Sequence, residues 1–224
     1  MRRLLLFAKR PRLGKVKSRL TPPYTVEEAL QLYRALLRDL SAMLASLPNS
    51  IQVEWWWSDD DAVADDATFV PPGAKSCVQQ GADLGQRLSH AFALSDGPTA
   101  VVGGDCPLVD AELIETAFRS VEQRPQQNGR RNAAVSPADD GGYLLLACGD
   151  DQPELFQEIP WGGSEVMART AAAAADAGID LERLSGGFDI DDAASLTRLA
   201  KLSASGTIAE RIPVTLKWLN SQLR

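Results

Sequence analysis

Residues 101–110 read VVGGDCPLVD. An apolar run passes through two glycines into an aspartate, Asp105, and Pro107 then prevents the chain from continuing as a strand. The pattern is that of a buried strand with a carboxylate at its mouth. Asp105 is either a turn residue that bonds its own backbone, or an acid held at a sheet end to meet a cation such as a metal ion. The rest of the chain bears on that choice.

Working outward, RLLLFAK (3–9), IQVEWWWS (51–58), AKSCVQQ (74–80), TAVVGGD (99–105), NAAVSPA (132–138), YLLLAC (143–148) and IDLERL (179–184) are short apolar or alternating runs, as strands are. Helical spacing occupies the intervals. Thr25 and Glu28 form a capping box ahead of VEEALQLYRALLRDLSAML. Asp83 opens DLGQRLSHAFAL, and Asp110 caps AELIETAFRSVEQ. SEVMARTAAAAADAG runs from Ser164 to a terminating Gly178. FDIDDAASLTRLAKL reads as a strand end followed by a helix, and IPVTLKWLNSQL as a short amphipathic helix with Pro213 in its first turn. The polar segment QRPQQNGRRN (123–132) reads as a surface loop.

Strands alternating with helices predict an α/β fold, Rossmann-like, with three α/β/α layers and a mostly parallel sheet. Trp55 and Trp57 point to one face of their strand and Trp56 to the other. Core packing on both faces suits them better than a stacking platform. With no repeat and no low-complexity linker, residues 1–224 are expected to form a single domain.

Composition narrows the function. Hydrophobic residues make up 45% of the chain, charged residues 24%, and the formal net charge is -7. Such a balance argues against a nucleic-acid partner, which requires a basic surface. Arg2, Arg3, Lys9, Arg10, Arg12, Lys15, Lys17 and Arg19 nevertheless all precede the first acid, Glu27. One basic end on an acidic protein reads as a local anion site or as a solvated loop. Cys77, Cys106 and Cys148 are widely spaced, which suits a reduced, cytoplasmic protein without structural zinc. No run approaches the length of a membrane span. His90 is the only histidine and reads as a helix-surface residue, which argues against a Ser-His-Asp or multi-histidine metal site.

Four stretches carry chemistry. FAKRPRLGKVKSRL (7–20) places cations around Gly14 just past a strand, where they can hold phosphate oxygens, although the P-loop spacing is absent. QQGADLGQR (79–87) sets two glycines around a helix cap, where backbone can approach a ligand. GGDCPL and FDIDD each end in strand-terminal acids, and two carboxylates from separate strands can hold Mg2+ or Mn2+. A bare acid cluster of this kind repels itself, so Asp105→Asn would relieve it. DDGGYLLL (139–146) is either a hairpin turn or a carboxylate beside an open, glycine-lined pocket.

In their order, FAK-P--G-VKSRL, Q-G-DLG-RL--AF, GGDCPL, DGGYLLL and FDID resemble the bacterial family DUF2064, also labelled glycosyltransferase A-type, some of whose members are assigned to arsenosugar biosynthesis. The resemblance runs from residue 4 to about residue 200 and implies the nucleotide-diphospho-sugar transferase (GT-A-like) fold. It implies Asp105 and, rather than Asp189, Asp191 as metal ligands. It further implies Lys9, Gly14, Lys17 and Arg19 at a diphosphate, and Gln80, Gly81, Leu84 and Arg87 at the nucleotide. Gly142, Tyr143 and Trp161 would face sugar or acceptor, with Asp140 as general base. The chain departs from the family pattern at Ser18, where threonine is usual, at Trp161-Gly162-Gly163-Ser164, where WST is usual, and at DIDDAASL, which lacks the usual turn proline.

The expected function is metal-dependent transfer of a sugar from a nucleotide sugar to a small-molecule acceptor. The KSRL segment also resembles phospholactate guanylyltransferases, which makes nucleotidyl transfer from a nucleoside triphosphate the rival reading, with pyrophosphate released. A non-catalytic nucleotide-binding module is the third.

Overall fold

The computed structural model describes residues 1–59, 66–123, 131–206 and 208–222. Residues 124–130, most of the expected 123–132 surface loop, lie outside them.

Among the described residues, seven strands form one sheet: β1 (Arg2–Ala8), β2 (Ile51–Trp57), β3 (Lys75–Val78), β4 (Thr99–Gly103), β5 (Arg131–Pro137), β6 (Tyr143–Cys148) and β7 (Ile179–Arg183). Their order is β3-β2-β1-β4-β6-β5-β7. β6 alone runs antiparallel to its neighbours, β4 and β5. The other pairings are parallel. Among the described residues, six α-helices accompany the sheet: α1 (Val26–Ala45), α2 (Leu84–Ala93), α3 (Ala111–Gln123), α4 (Val166–Asp176), α5 (Ala193–Ala204) and α6 (Pro213–Gln222).

The alternation in IQVEWWW splits the core as its period of two requires. Trp55 and Trp57 enter a layer with Tyr33, Leu37 and Leu40 of α1 and Ile114, Ala117 and Phe118 of α3. Trp56 enters the opposite layer with Leu88 and Phe92 of α2 and Met167 of α4. All three indoles are buried. A third cluster lies outside the sheet. Leu32 and Leu36, on the outer side of α1, pack with Leu196 and Leu199 of α5 and Trp218 and Leu219 of α6. The chain's last helices therefore cover α1 rather than a sheet face.

The caps follow the sequence. Thr25 and Glu28 close a reciprocal box on α1, Asp83 accepts from the Gln86 amide, and Asp110 accepts from the Leu113 amide. Two expectations are corrected. FDID is not a strand end: residues 188–191 carry no sheet pairing, and the isolated bridge nearest to them pairs the preceding Gly187 with Ala138. Phe188 and Ile190 instead fill the cluster beneath α1, α5 and α6. In addition, α4 begins at Val166 rather than Ser164. The Gly141 carbonyl takes the Met167 amide at 2.7 Å, and a Cβ at Gly141 would lie 2.0 Å from the Ser164 carbonyl oxygen. The backbone of residues 164–165 is pinned against the 139–142 turn and so does not coil into the helix.

Parallel strands point their carboxyl ends the same way. The segments after β1, β3, β4, β5 and β7 therefore emerge along one edge. β1 lies between β2 and β4, where the chain switches direction of winding, and a ligand crevice forms at such a point.

Candidate functional site

Asp105 leaves β4 through Gly103 and Gly104. The Gly104 amide donates to the Phe7 carbonyl of β1 at 2.9 Å. A Cβ at Gly104 would approach the Ala8 side chain to 3.1 Å and the Tyr33 hydroxyl to 3.2 Å, so the turn runs close against β1 and a larger residue would push these neighbours back. The 188–191 segment is tied to this turn by the Ile190 amide, which donates to the Asp105 carbonyl at 3.1 Å. That long-range bond brings the two acidic motifs together. Oxygens of Asp105, Asp189 and Asp191 all lie within 4.8 Å of one another. The 139–142 turn joins them from the other side, with the Asp139 amide on the Gly187 carbonyl at 2.9 Å.

One ammonium faces this triad. Lys17 Nζ donates to Asp105 at 2.7 Å and to Asp191 at 3.0 Å, and the Lys17 side chain is 3% exposed. Burial works against its charge, but the two carboxylates outweigh burial and hold its pKa above the ordinary lysine value. Burial likewise opposes ionisation of Asp105, yet Lys17 keeps that carboxyl below the usual carboxylate range. Asp189 fares otherwise: burial, then the charges of Asp105, Asp191 and Asp140, push it up to about 6.

A cavity of about 390 Å3 opens above these groups, lined among others by Lys9, Lys17, Leu84, Arg87, Asp105 and Asp191. The Lys9 amide donates to the Tyr33 hydroxyl and the Lys9 carbonyl accepts from it, both at 3.0 Å, which fixes the backbone at the end of β1. Arg87 Nε donates to the Gly81 carbonyl at 3.0 Å. Gly81 has φ 141, and a Cβ there would lie 2.8 Å from the Arg87 amide nitrogen, so glycine is required for the loop to close on α2.

The remaining expected residues fall as follows. Gln79, not Gln80, lines the cavity, and its side-chain amide donates to the Trp56 carbonyl at 2.9 Å. Gln80 is exposed. Arg19 is 72% exposed and reaches Asp191 only at 3.4 Å, which places it on the rim. Gly14 is exposed with φ 70, in a turn. Asp140 is exposed and accepts the Gly142 amide at 2.9 Å. Tyr143 and Trp161 meet edge to face at 6.2 Å and pack against the α2–α4 core layer. Trp161 borders a separate cleft of about 720 Å3 with Gln86, His90 and Glu158. His90 is half-buried, its ring and that of Trp56 meeting in a T-shaped arrangement.

Much of the basic run is already paired within the protein. Arg2 binds Glu115 and Glu122, Arg3 binds Glu54, Arg10 binds Asp59 and Asp66, and Arg12 binds Asp59. Sequence reasoning set Asp189 aside in favour of Asp191. The doubled acid of FDID signalled both, but only the approach of the Asp105 turn shows that both face one point.

A chain with this sheet order and an acid cluster at the switch point has the nucleotidyltransferase and nucleotide-sugar transferase architecture. Solved structures agree. A protein from Desulfovibrio desulfuricans G20, assigned as a nucleotide-diphospho-sugar transferase, is 28% identical with a TM-score of 0.85, covering 98% of this chain and 94% of its own. A cytidylyltransferase from Leptospira borgpetersenii serovar Hardjo-bovis (strain JB197) is similar in fold, at 14% identity and a TM-score of 0.54, over 96% of this chain and 94% of its own. So is the 4-diphosphocytidyl-2C-methyl-D-erythritol synthase of Anaerococcus prevotii DSM 20548, at 8% identity and a TM-score of 0.55, over 89% of this chain and 96% of its own. The family model described as "Uncharacterized protein conserved in bacteria (DUF2064)" matches residues 43–163, and the chain belongs to that family. No curated protein matches the sequence. Among the described residues, no helix is long and apolar enough to cross a membrane.

Proposed function

We propose that this chain, acting as one nucleotide-diphospho-sugar transferase-like domain, transfers a glycosyl group from a nucleotide sugar to a small acceptor with the help of Mg2+ or Mn2+. The observation that carries the reading is the convergence of Asp105, Asp189 and Asp191 beside a cavity that Asp105 and Asp191 line together with Lys9, Lys17 and Arg87. Acids beneath and cations around suit a divalent ion below an anionic ligand.

The donor set fits such an ion. All three ligands offer carboxylate oxygen, as Mg2+ and Mn2+ prefer, and the pKa of Asp189, raised first by burial and then by its acidic neighbours, marks a carboxylate whose charge an added cation would stabilise. When bound, the ion supplies charge stabilisation for the departing nucleoside diphosphate. The chain's own groups do the rest. Lys9 and Arg87 hold phosphate oxygens. The C1–oxygen bond to the diphosphate breaks and a bond from the acceptor oxygen to C1 forms. Asp140, exposed beside the triad, takes the acceptor's hydroxyl proton. The Desulfovibrio protein's assignment favours sugar transfer over nucleotidyl transfer.

Product analysis tests this. Incubation with a panel of nucleotide sugars and Mn2+ should release nucleoside diphosphate. Pyrophosphate released from a nucleoside triphosphate would replace glycosyl with nucleotidyl transfer. Binding without turnover of either donor class would leave a nucleotide-binding module.

A further inference from the structure

We infer that the Lys17 ammonium is the resident cation of the acidic triad, and that a divalent ion binds by displacing it into the cavity, where it contacts the ligand's phosphates. The inference rests on the metal reading above and gives Lys17 two successive partners.

Three observations support the exchange. First, Lys17 Nζ bridges two of the three carboxylates that would ligate the ion, at 2.7 Å from Asp105 and 3.0 Å from Asp191. An ion at roughly 2.0–2.6 Å from those same oxygens would put two cations a few ångströms apart in a half-buried site, where water screens them poorly. The ammonium and the ion therefore compete for this pair. Second, a cavity adjoins Lys17. Lys17 itself lines the 390 Å3 cavity, beside Lys9 and Arg87. Its flexible four-carbon stem can swing there by changing rotamers, without moving backbone. Third, Lys17 is held in a left-handed conformation, φ 52 and ψ 36, at the head of the Ser18–Leu20 turn. Such a position is uncommon for a residue with a side chain and persists where surrounding contacts over-determine it. The side chain of this residue both reaches the triad and lines the cavity. Arg19 cannot replace it, being on the rim.

The consequence is coupling. The ion frees an ammonium for the anion, and an anion that captures the ammonium clears the carboxylates for the ion. By linkage each strengthens the other equally.

Two measurements test this. Free Mn2+, followed by electron paramagnetic resonance during titration, gives the affinity of the wild-type chain and of Lys17→Met. Removing the competitor should tighten Mn2+ binding on the order of tenfold, within the usual range of site-to-site coupling. Equal or weaker binding by the variant overturns the exchange, because Lys17 would then assist the ion rather than oppose it. No Mn2+ binding by either chain overturns the metal reading itself. The second measurement needs no variant, so it stands even where Lys17→Met folds poorly. Saturating Mg2+ should shift the lysine side-chain NMR resonance assigned to Lys17 in wild-type protein toward the position of an ammonium without carboxylate partners. An unmoved resonance under saturating Mg2+ overturns the exchange.

Discussion

Replacing Asp105 by asparagine separates structural from functional roles in one substitution. Asn keeps the size and an acceptor oxygen, so the turn and its backbone bonds survive. What is lost is the charge facing Lys17 Nζ at 2.7 Å. The Lys17 ammonium still donates to the amide oxygen, so the bond remains one to a charged group, and the spread of about 1.5–3 kcal/mol among such bonds puts the loss of the second charge at about 1–1.5 kcal/mol. Part is returned, because Asp189 no longer faces the Asp105 charge that helps to raise its pKa. The net expectation in chelator at pH 7 is a loss of about 1 kcal/mol, or a Tm lower by about 2–4 °C for a chain of this size. The sign reverses the sequence-based expectation of a gain from a self-repelling acid cluster, since Lys17 already neutralises it. With Mn2+ at a hundred times the wild-type Kd the two chains diverge further. Wild type gains about 2.7 kcal/mol by mass action, and the variant should gain little. Urea unfolding in chelator and in Mn2+ measures both arms. A variant at least as stable as wild type in chelator refutes the Lys17 argument. An undiminished gain in Mn2+ refutes Asp105 as a ligand.

Three further outcomes are expected. Glu54, with its side chain 4% exposed, accepts Arg3 Nε at 3.0 Å and Nη2 at 2.8 Å. Burial opposes its charge, but Arg3 wins and its pKa lies below the ordinary value. Its contribution is therefore complete above the unfolded pKa and is lost as pH falls through the folded one. Glu54→Gln should cost about 3 kcal/mol in urea unfolding at pH 7, with the gap to wild type closing below about pH 4; a gap independent of pH would sink this account. Gly85→Ala places a Cβ 2.4 Å from both the Phe156 carbonyl oxygen and Trp161 Nε1. It should cost about 1–3 kcal/mol by overpacking and change the near-ultraviolet circular dichroism; an unchanged spectrum and Tm would mean that α2 and the Trp161 loop do not touch. Pyrophosphate binding, read by calorimetry, should weaken as salt rises and fall further in the Lys9→Ala, Arg87→Ala double variant; equal affinity in that variant would remove these cations from the site.

What could be read from sequence was local. The strand runs, the Thr25–Glu28 box and the Asp83 and Asp110 caps depend on residues within a turn of each other, and they sit where the pattern places them. The alternation of Trp55, Trp56 and Trp57 between two core layers is equally local, because it follows from the strand's period. The choice between Asp189 and Asp191 was not local. Both come from one tetrapeptide, and only the bond from Ile190 to the Asp105 carbonyl turns both toward one point. The basic run posed the same difficulty: its composition announces an anion site, while its partners, Glu54, Asp59, Asp66, Asp105 and Asp191, are drawn from distant parts of the chain. Periodicity likewise marked α5 and α6 as amphipathic without saying that their apolar faces cover α1. Hydrogen-bonding and apolar patterns specify which elements form, because they act over a few residues. Which charges end up neutralised, and by whom, depends on contacts between segments far apart in sequence, and these exist only once the chain is packed.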